Sequence, residues 1–518
     1  MPSSVRSAPG IVLAGVLVGV VALLPLGYLL VRGFERGPGV AIALLWRERT
    51  LELLVRSVAL ATAVTASCLV VGVLTAWLAA RSDLPGRRLF GVLFTLPLAI
   101  PSYVGGFTYM SEMPELAGFW GAFLVLTLVT YPYVLLPVVA ALRLGDPAVE
   151  EVSRSLGKGA VRTFLLVTLR QIRPAALAGG LLVALYVLSD FGAVSLMRYE
   201  AFTVGIYTSY RASFDRTPAA VLGCVLVLVA IVVTLGERRA RGRAATFGQS
   251  RVGAGAAREV VVVPLRKVRP VALLGSVALL VAALGVPIVS LAHWLIAGSS
   301  AGVDVSRLLA ATWATLEVSG LGAILTVLLA IPVGVLAARH PGALSRRVEL
   351  ASFAGHALPG ITVGLALVFL GVRVLPGIYQ ETPMLVFAYA VLFLPLAVGA
   401  VRTGIAAAPV RLEEVSRSLG KGRFATRMQV TFPLAAPGIA AGAALVFLTC
   451  AKELPATLML RPTGTNTLAT ELWSRTDTGF FGAAAPYAAM LIVIAAFPSV
   501  ALGHFLRTRA ADPFGGAR

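Results

Sequence analysis

Apolar runs long enough to cross a lipid bilayer recur twelve times along this chain of 518 residues. A helix needs about 20 mostly apolar residues to span the hydrocarbon core, and backbone groups in lipid must be paired within the chain. The sequence therefore predicts an all-α, polytopic membrane protein with about 12 transmembrane helices. The runs cover residues 11–31, 54–80, 89–108, 119–142, 174–196, 219–236, 271–294, 311–338, 349–371, 384–401, 437–459 and 483–506.

Charged residues lie mainly in short segments between these runs, and Lys and Arg outnumber Asp and Glu by 44 to 24. With the N-terminus inside, 31 basic residues fall in the predicted cytoplasmic segments and 11 in the opposite loops. Such a bias is typical of cytoplasmic loops. It predicts a multi-pass protein of the bacterial cytoplasmic (inner) membrane with both termini in the cytoplasm. It also favours membrane lipid over nucleic acid as the partner of the basic residues.

The segment from Glu237 to Pro270 separates two sets of six runs. It is rich in Arg, Gly and Ala and holds nine basic residues. This composition is typical of a solvated linker, and contact with anionic lipid headgroups is the alternative. We therefore predict a first half over residues 1–236, a basic cytoplasmic linker over 237–270 and a second half over 271–518.

The two halves are copies of one unit. The decamer EEVSRSLGKG occupies residues 150–159 and returns unchanged at 413–422, a spacing of 263 residues. Upstream, Leu96-Pro97 matches Leu358-Pro359 at a spacing of 262. A period this long indicates duplication of a whole six-helix unit. The sequence predicts two pseudo-symmetric halves related by a two-fold axis along the membrane normal.

Two identical polar decamers in otherwise diverged copies need a cause beyond lipid contact. Many arrangements of Arg, Ser and Glu would lie equally well on headgroups, whereas paired loops on one face suit a paired cytoplasmic partner. The decamers predict a short helix, a turn permitted by Gly157 or Gly420, and a second helix that leads into the next span.

Residues that carry chemistry are scattered in this sequence. Three cysteines (Cys68, Cys224 and Cys450) lie singly in or beside apolar runs, and the four histidines form no cluster. The Gly157-Lys158-Gly159 sequence lacks the Ser or Thr that follows Gly-Lys in a phosphate-binding loop. We therefore expect a transport subunit that is not an enzyme, with no catalytic residue, no metal site and no cofactor in this chain.

The decamers resemble the EAA loop of ATP-binding-cassette importer permeases. The matching residues are Glu151, Val152, Ser153, Gly157, Val167 and Leu169 in the first copy, and Glu414, Val415, Ser416, Gly420, Val430, Phe432 and Pro433 in the second. Arg170 stands where the pattern has Pro, so the final turn of the first loop is expected to differ. The resemblance covers nearly the whole chain and implies a fused, two-domain permease with a type I importer fold.

The resemblance also implies partners and roles. Two copies of a cytoplasmic ATPase subunit would carry the ATP and Mg²⁺, and a periplasmic substrate-binding protein would deliver the cargo. The residues expected in the ATPase-coupling loops are Glu150, Glu151, Ser153, Gly157, Lys158, Glu413, Glu414, Ser416, Gly420 and Lys421. Glu151 and Glu414 are expected to pair with basic residues of the ATPase or to cap the local helix.

The cargo is suggested by two further segments. SDFGAVSLM at 189–197 and KELPATLMLRPTG at 452–464 resemble ferric-iron permeases, which implies ferric iron as the cargo. Thiamine, phosphonate and polyamine permeases are near neighbours of that group and stay as alternatives.

Asp190 and Glu453, 263 residues apart, are the predicted pathway residues. We expect both within spans, beyond the midplane and near the central axis, because charges at such depth usually face a bundle interior or a cavity. There they would line an outer gate. Lys452 is expected to point away and to pair with a neighbouring loop. The alternative is a carboxylate that serves only the fold, held by backbone N–H groups or by an Arg.

Two other classes fit less well. Residues 83–88, DLPGRR, resemble the end of a loop motif of major-facilitator secondary transporters, which also have two six-helix halves. However, Ala79 replaces the expected Gly, and such a transporter has no reason to repeat the decamer. A membrane enzyme would need a converging set of titratable residues, and the sequence predicts none.

Overall fold

The computed structural model describes residues 9–144, 148–212, 216–245, 262–298, 304–353 and 358–510. In these ranges the chain is α-helical, with short 3₁₀ and π turns and one isolated β-bridge. The helices of the N-terminal part are α1 (Pro9–Phe34), α2 (Pro38–Leu45), α3 (Glu48–Arg81), α4 (Arg87–Leu93), α5 (Ser102–Glu112), α6 (Phe119–Thr130), α7 (Pro132–Leu144), α8 (Ala148–Ser155), α9 (Ala160–Thr163), α10 (Leu169–Ser189), α11 (Gly192–Leu196), α12 (Phe202–Ala212) and α13 (Thr217–Ala245).

The C-terminal part repeats this order. Its helices are α14 (Arg269–Leu280), α15 (Val286–Ala297), α16 (Val305–Arg339), α17 (Ala343–Phe353), α18 (Gly360–Arg373), α19 (Thr382–Ala407), α20 (Val410–Ser418), α21 (Arg423–Thr426), α22 (Phe432–Ala451), α23 (Pro455–Leu460), α24 (Leu468–Asp477) and α25 (Phe481–Ala510). The prediction of an all-α polytopic protein is confirmed.

The number of spans differs from the predicted twelve. Within the described ranges, nine helices are long and apolar enough to cross a membrane, or ten if one bent pair counts as a span. The bent pair is Arg87–Ala99 with Ser102–Glu112, which meet at 91°. Pro101 stands at this bend and lacks the N–H that a continuous helix would use. The ninth and twelfth predicted spans contain the shorter apolar helices Gly360–Arg373 and Phe481–Ala495.

The two halves interlock. Helix α1 lies against α16, α17 and α18 of the other half, where a Cβ added at Gly15 would be 3.4 Å from a methyl of Leu336. In the opposite sense, α15 packs on α5, and near it the Tyr109 hydroxyl donates a hydrogen bond to the Ala282 carbonyl at 2.8 Å. The first helix of each half therefore packs against the other half.

The repeat has two registers. Gly106 contacts Ala193 and Leu196, whereas Gly364 contacts Ala456 and Met459 in the same way. These two glycines are 258 residues apart, while their contacting partners keep the spacing of 263. The predicted match of Leu96-Pro97 with Leu358-Pro359 is therefore wrong by four residues, because Pro101 and Pro359 are the residues that immediately precede the equivalent helices α5 and α18.

The predicted linker is partly ordered against the protein. Helix α13 continues through Ala245, and residues 246–261 lie outside the described part. The Val263 N–H donates to the Arg81 carbonyl at 2.8 Å, and Asp83 Oδ1 accepts a hydrogen bond from the Leu265 N–H at 2.8 Å. The end of the linker is thus attached to the loop after α3 instead of being fully solvated. The predicted domain boundaries themselves stay a prediction.

Candidate functional site

Both decamers form the predicted helix, turn and helix. In the first copy α8 ends at Ser155, Gly157 adopts φ +77°, and α9 follows. In the second copy α20 ends at Ser418 and Gly420 adopts φ +82°. A positive φ costs other residues about 1–2 kcal/mol, and glycine adopts it freely. Identical turns therefore account for the glycine in each copy.

One serine in each decamer holds its loop closed from within. The buried Ser153 hydroxyl is 3.1 Å from the Thr163 hydroxyl, and the Ser153 carbonyl accepts from the Lys158 N–H at 3.3 Å. In the second copy the Ser416 and Thr426 hydroxyls are also 3.1 Å apart. These serines stabilise the loop and are not available to a partner.

The first glutamate of the first decamer points into the protein. Glu150 is 4% exposed, and its Oε1 accepts a hydrogen bond from the Thr168 hydroxyl at 2.9 Å. Arg81, the last residue of α3, places its Nη2 3.9 Å from the same oxygen and donates to the Leu142 carbonyl at 2.9 Å. Glu150 thus joins the decamer to two long helical segments, α3 and the one that contains α10.

The second decamer repeats this connection. Glu413 Oε1 accepts from the Thr431 hydroxyl at 2.9 Å and lies 2.7 Å from Arg339 Nη2. Arg339 ends α16 and donates to the Ala408 carbonyl at 2.8 Å. Both first glutamates, predicted as coupling residues, are therefore internal, and neither is free to meet a partner directly.

The second glutamate of each decamer lies on the outer face. Glu151 is exposed, and next to it Val152 and Leu156 are 57% and 71% exposed. The other copy shows the same group, listed here together as Glu414, Val415 and Leu419. A carboxylate beside two exposed apolar side chains, presented twice, forms a pair of equivalent surfaces, which we call the decamer faces.

The departure at Arg170 leaves the backbone unchanged. A π turn follows the first decamer at Phe164–Thr168 and the second at Arg427–Thr431, 263 residues later. The expectation that the final turn of the first loop differs is therefore wrong. The turn is set by residues that precede the Pro433 position, so the proline is not required for it.

The second decamer lies beside a histidine. Burial and the nearby positive charges of Arg427 and Arg423 lower the pKa of His340 from its usual 6.5. His340 follows α16, and its Nε2 is buried without a hydrogen-bond partner among the described residues. The ring is consequently neutral at neutral pH.

The two predicted pathway carboxylates lie in breaks between helices, at the end of α10 and α22 remote from the decamers. Helix α10 ends at Ser189, and Asp190 Oδ1 accepts from the N–H groups of Ala193 at 2.9 Å and Val194 at 3.3 Å. Its Oδ2 accepts from the Ser102 hydroxyl. The placement of Asp190 inside a continuous span is therefore wrong, since its side chain caps the next short helix.

Glu453 has the same surroundings in the other half. Helix α22 ends at Ala451, and the Glu453 carboxylate accepts from the N–H of Ala456 at 3.1 Å and of Thr457 at 3.2 Å. A Cβ added at Gly360 would lie 2.3 Å from Glu453 Oε1, so α18 begins directly against the carboxylate. Lys452 is half-buried at the end of α22 and forms no ion pair with a described residue, contrary to expectation.

Aromatic side chains join the halves next to these breaks. Trp473 Nε1 donates to the Ser195 hydroxyl at 2.9 Å across the boundary between the halves. Its ring centroid lies 5.7 Å from that of Phe191, and Phe191 and Leu454 belong to one buried cluster. Because each of these two residues follows one of the carboxylates, the pairing brings Asp190 and Glu453 toward the boundary between the halves. The pathway role itself stays a prediction.

Resident chemistry was also sought at these positions. Across the described ranges, no three side chains of His, Cys, Asp and Glu converge to hold a metal ion.

Comparison with known proteins matches the chain twice to one family. Residues 68–239 and 330–509 each match the binding-protein-dependent transport system inner membrane component family. The two matches contain one decamer each.

Three relatives illustrate the range of similarity. An Fe(3+)-transport system permease protein of Haemophilus influenzae is 36% identical over 486 residues, covering 93% of this chain and 96% of the relative. The sulfate transport system permease protein CysW of Escherichia coli is 28% identical over 43% of this chain and 83% of its own length. CysT of Salmonella typhimurium is 27% identical over 36% of this chain and 73% of its own length.

Proposed function

The chain belongs to the family of binding-protein-dependent transport system inner membrane components, and we propose that it is the fused membrane permease of an ATP-driven importer of ferric iron. It forms the translocation pathway and couples it to ATPase subunits. The hydrolytic chemistry belongs to those subunits, which bind ATP and Mg²⁺.

The doubled decamer is the observation that carries the coupling role. Each copy presents the same carboxylate and apolar side chains on its outer face, while its first glutamate and serine are used inside the protein. Two equivalent surfaces fit two copies of one subunit. We infer that each ATPase subunit binds one decamer face, and that Glu151 and Glu414 pair with its basic residues.

The internal contacts describe how motion would be transmitted. Glu150 and Glu413 hold each decamer to the end of one long helix and to the π turn that leads into another. A displacement of the decamer by the ATPase therefore moves both helices together. Alternating access follows if the two halves rock about the boundary between them, with the carboxylate breaks at its far end.

Orientation follows from the distribution of basic residues. The decamers and both termini face the cytoplasm, where 31 basic residues lie against 11 in the opposite loops. The opposite end, with the breaks after α10 and α22, receives the cargo from a periplasmic binding protein. Membrane lipid surrounds the apolar helix faces.

Similarity to the Fe(3+)-transport permease supports ferric iron as the cargo, because it extends over nearly the full length of both chains. Similarity to the sulfate permeases covers less than half of this chain.

Radiolabelled uptake tests this proposal. The chain would be expressed with its ATPase and binding protein in cells lacking their own ferric permease, and uptake of ⁵⁵Fe³⁺ would be compared with uptake of ³⁵S-sulfate. We expect iron uptake that is lost when the ATPase is omitted. Uptake of sulfate without iron would contradict the cargo, and iron uptake without the ATPase would contradict the coupling.

A further inference from the structure

Beyond the capped carboxylates, each half contains a chain of hydroxyl groups that leads to one of them. In the second half the Tyr389 hydroxyl is 2.6 Å from the Thr457 hydroxyl, which lies 3.2 Å from Glu453 Oε2. In the first half Tyr186 interacts with the Ser102 hydroxyl, which donates to Asp190. The Tyr186 and Tyr389 side chains both end in oxygen networks beside the boundary between the halves.

A third tyrosine lies between these two networks without a partner of its own. Tyr103 is 3% exposed, and its hydroxyl forms no hydrogen bond among the described residues. Its ring packs on Gly192, beside Asp190, while its hydroxyl is close enough to Glu453 of the other half to interact electrostatically. It also interacts electrostatically with Tyr186 and Tyr389.

An unpaired buried hydroxyl is costly to a fold. Tyr131, at the start of α7, has the same property but lies beside Cys68, away from the carboxylates. Replacing either tyrosine by phenylalanine would remove the unsatisfied group without removing packing. Retention of the Tyr103 hydroxyl at the junction of two carboxylate networks therefore calls for a ligand.

We propose that the Tyr103 phenol is a transient ligand for the ferric ion at the constriction between the halves, supported by Asp190 and Glu453. The inference rests on the proposed iron transport. A hard trivalent cation prefers oxygen ligands, and phenolate is one of the best that a protein offers. When the halves separate, the phenol O–H bond breaks, an Fe–O bond forms, and the proton passes to water in the opened pathway. No oxidation or reduction is involved.

The equivalent position in the second half, by the spacing of 258, is Ile361. A single phenol thus serves both halves, which suits one ion passing at a time. The carboxylates keep their capping hydrogen bonds and contribute negative charge, so the phenol is the group that can exchange onto and off the ion.

The test compares Tyr103→Phe with Tyr131→Phe in the assembled complex of permease, ATPase and binding protein. Uptake of ⁵⁵Fe³⁺ should fall about tenfold or more in Tyr103→Phe, with ATP hydrolysis retained and the thermal unfolding temperature not lowered. Tyr131→Phe should keep wild-type uptake. A merely structural role of Tyr103 would instead change stability without a selective loss of uptake.

A spectroscopic measurement addresses the ligand directly. The permease–ATPase complex without binding protein, incubated with ferric citrate and ATP, should show the visible charge-transfer band of an iron–phenolate bond. The band should vanish in Tyr103→Phe and persist in Tyr131→Phe. Wild-type uptake by Tyr103→Phe, or a band that it leaves unchanged, would overturn this inference alone. Absence of iron uptake by the wild-type complex would overturn the proposed function as well.

Discussion

The turn glycines of the decamers offer the sharpest perturbation of the coupling surface. Gly157 and Gly420 have φ of +77° and +82°, and a Cβ added at either would meet nothing within 4 Å. Substitution by Val therefore causes backbone strain but no clash within the chain. At about 1–2 kcal/mol for each left-handed residue, and more for a β-branched one, the double variant loses about 2–4 kcal/mol if docking requires this turn.

That strain converts to a weakening of ATPase binding by roughly 30- to 700-fold. Affinity would be measured between the permease in lipid nanodiscs and the purified ATPase, with ATP-driven ⁵⁵Fe³⁺ uptake as the second readout. The variant should still insert into the membrane, since the strain lies in loops outside the spans. Full affinity and full uptake in Gly157→Val, Gly420→Val would refute the reasoning.

Two further variants separate strain from collision. Asn tolerates positive φ, so Gly157→Asn, Gly420→Asn should recover much of the affinity if strain is the cause. Gly159 and Gly422 belong to the same loops, lie in open space and are not among the residues with positive φ. Val at these two positions should bind the ATPase nearly normally. Equal loss in all three double variants would indicate collision with the docked ATPase instead.

Three other predictions follow from the same contacts. Glu413→Gln should leave ATPase binding nearly intact but lower uptake several-fold, since it weakens the charge-assisted bond to Arg339, typically by about 1.5–3 kcal/mol; unchanged uptake with unchanged ATPase stimulation would contradict this. Asp190→Asn with Glu453→Gln should abolish iron uptake while the complex still hydrolyses ATP, and unchanged uptake, or loss of the protein from the membrane, would count against the pathway role. His340 is disfavoured as a cation in the folded state, so stability should fall as the pH drops below about 6.5, and His340→Asn should flatten that part of the thermal-unfolding profile; an unaltered profile would rule out His340 as the cause.

The sequence predicts the decamer loops well because their geometry is local. Helix start, glycine turn and second helix depend on residues within ten positions, and the repeat shows them twice. What it does not show is which glutamate faces inward. The partners Arg81 and Arg339 are 258 residues apart, so they fall outside the register of 263 that relates the decamers.

The breaks in the helices were missed for a different reason. Hydropathy continues through Asp190 and Glu453, so the apolar runs indicate one span where the structure has two helices. Pro455 after Glu453 was the available signal, because proline favours the first turn of a new helix. The first half has no proline there, and its Asp190 cap could be recognised only through the repeat.

Tyr103 and its neighbours could not be predicted from spacing at all. Tyr186 and Tyr389 belong to different halves and are not related by either register, and their approach to Tyr103 depends on how α5 packs between the halves. Such proximity arises from tertiary packing and leaves no periodic pattern in the sequence.

ATP-dependent transport in a reconstituted system tests the central claim most directly. The permease and its ATPase would be placed in proteoliposomes with the iron-loaded binding protein on the side opposite the ATPase. We predict ⁵⁵Fe³⁺ movement that requires ATP and binding protein, and that an ionophore dissipating the proton gradient leaves unchanged. Transport that continues without ATP and stops with the ionophore would contradict the account and indicate a secondary transporter.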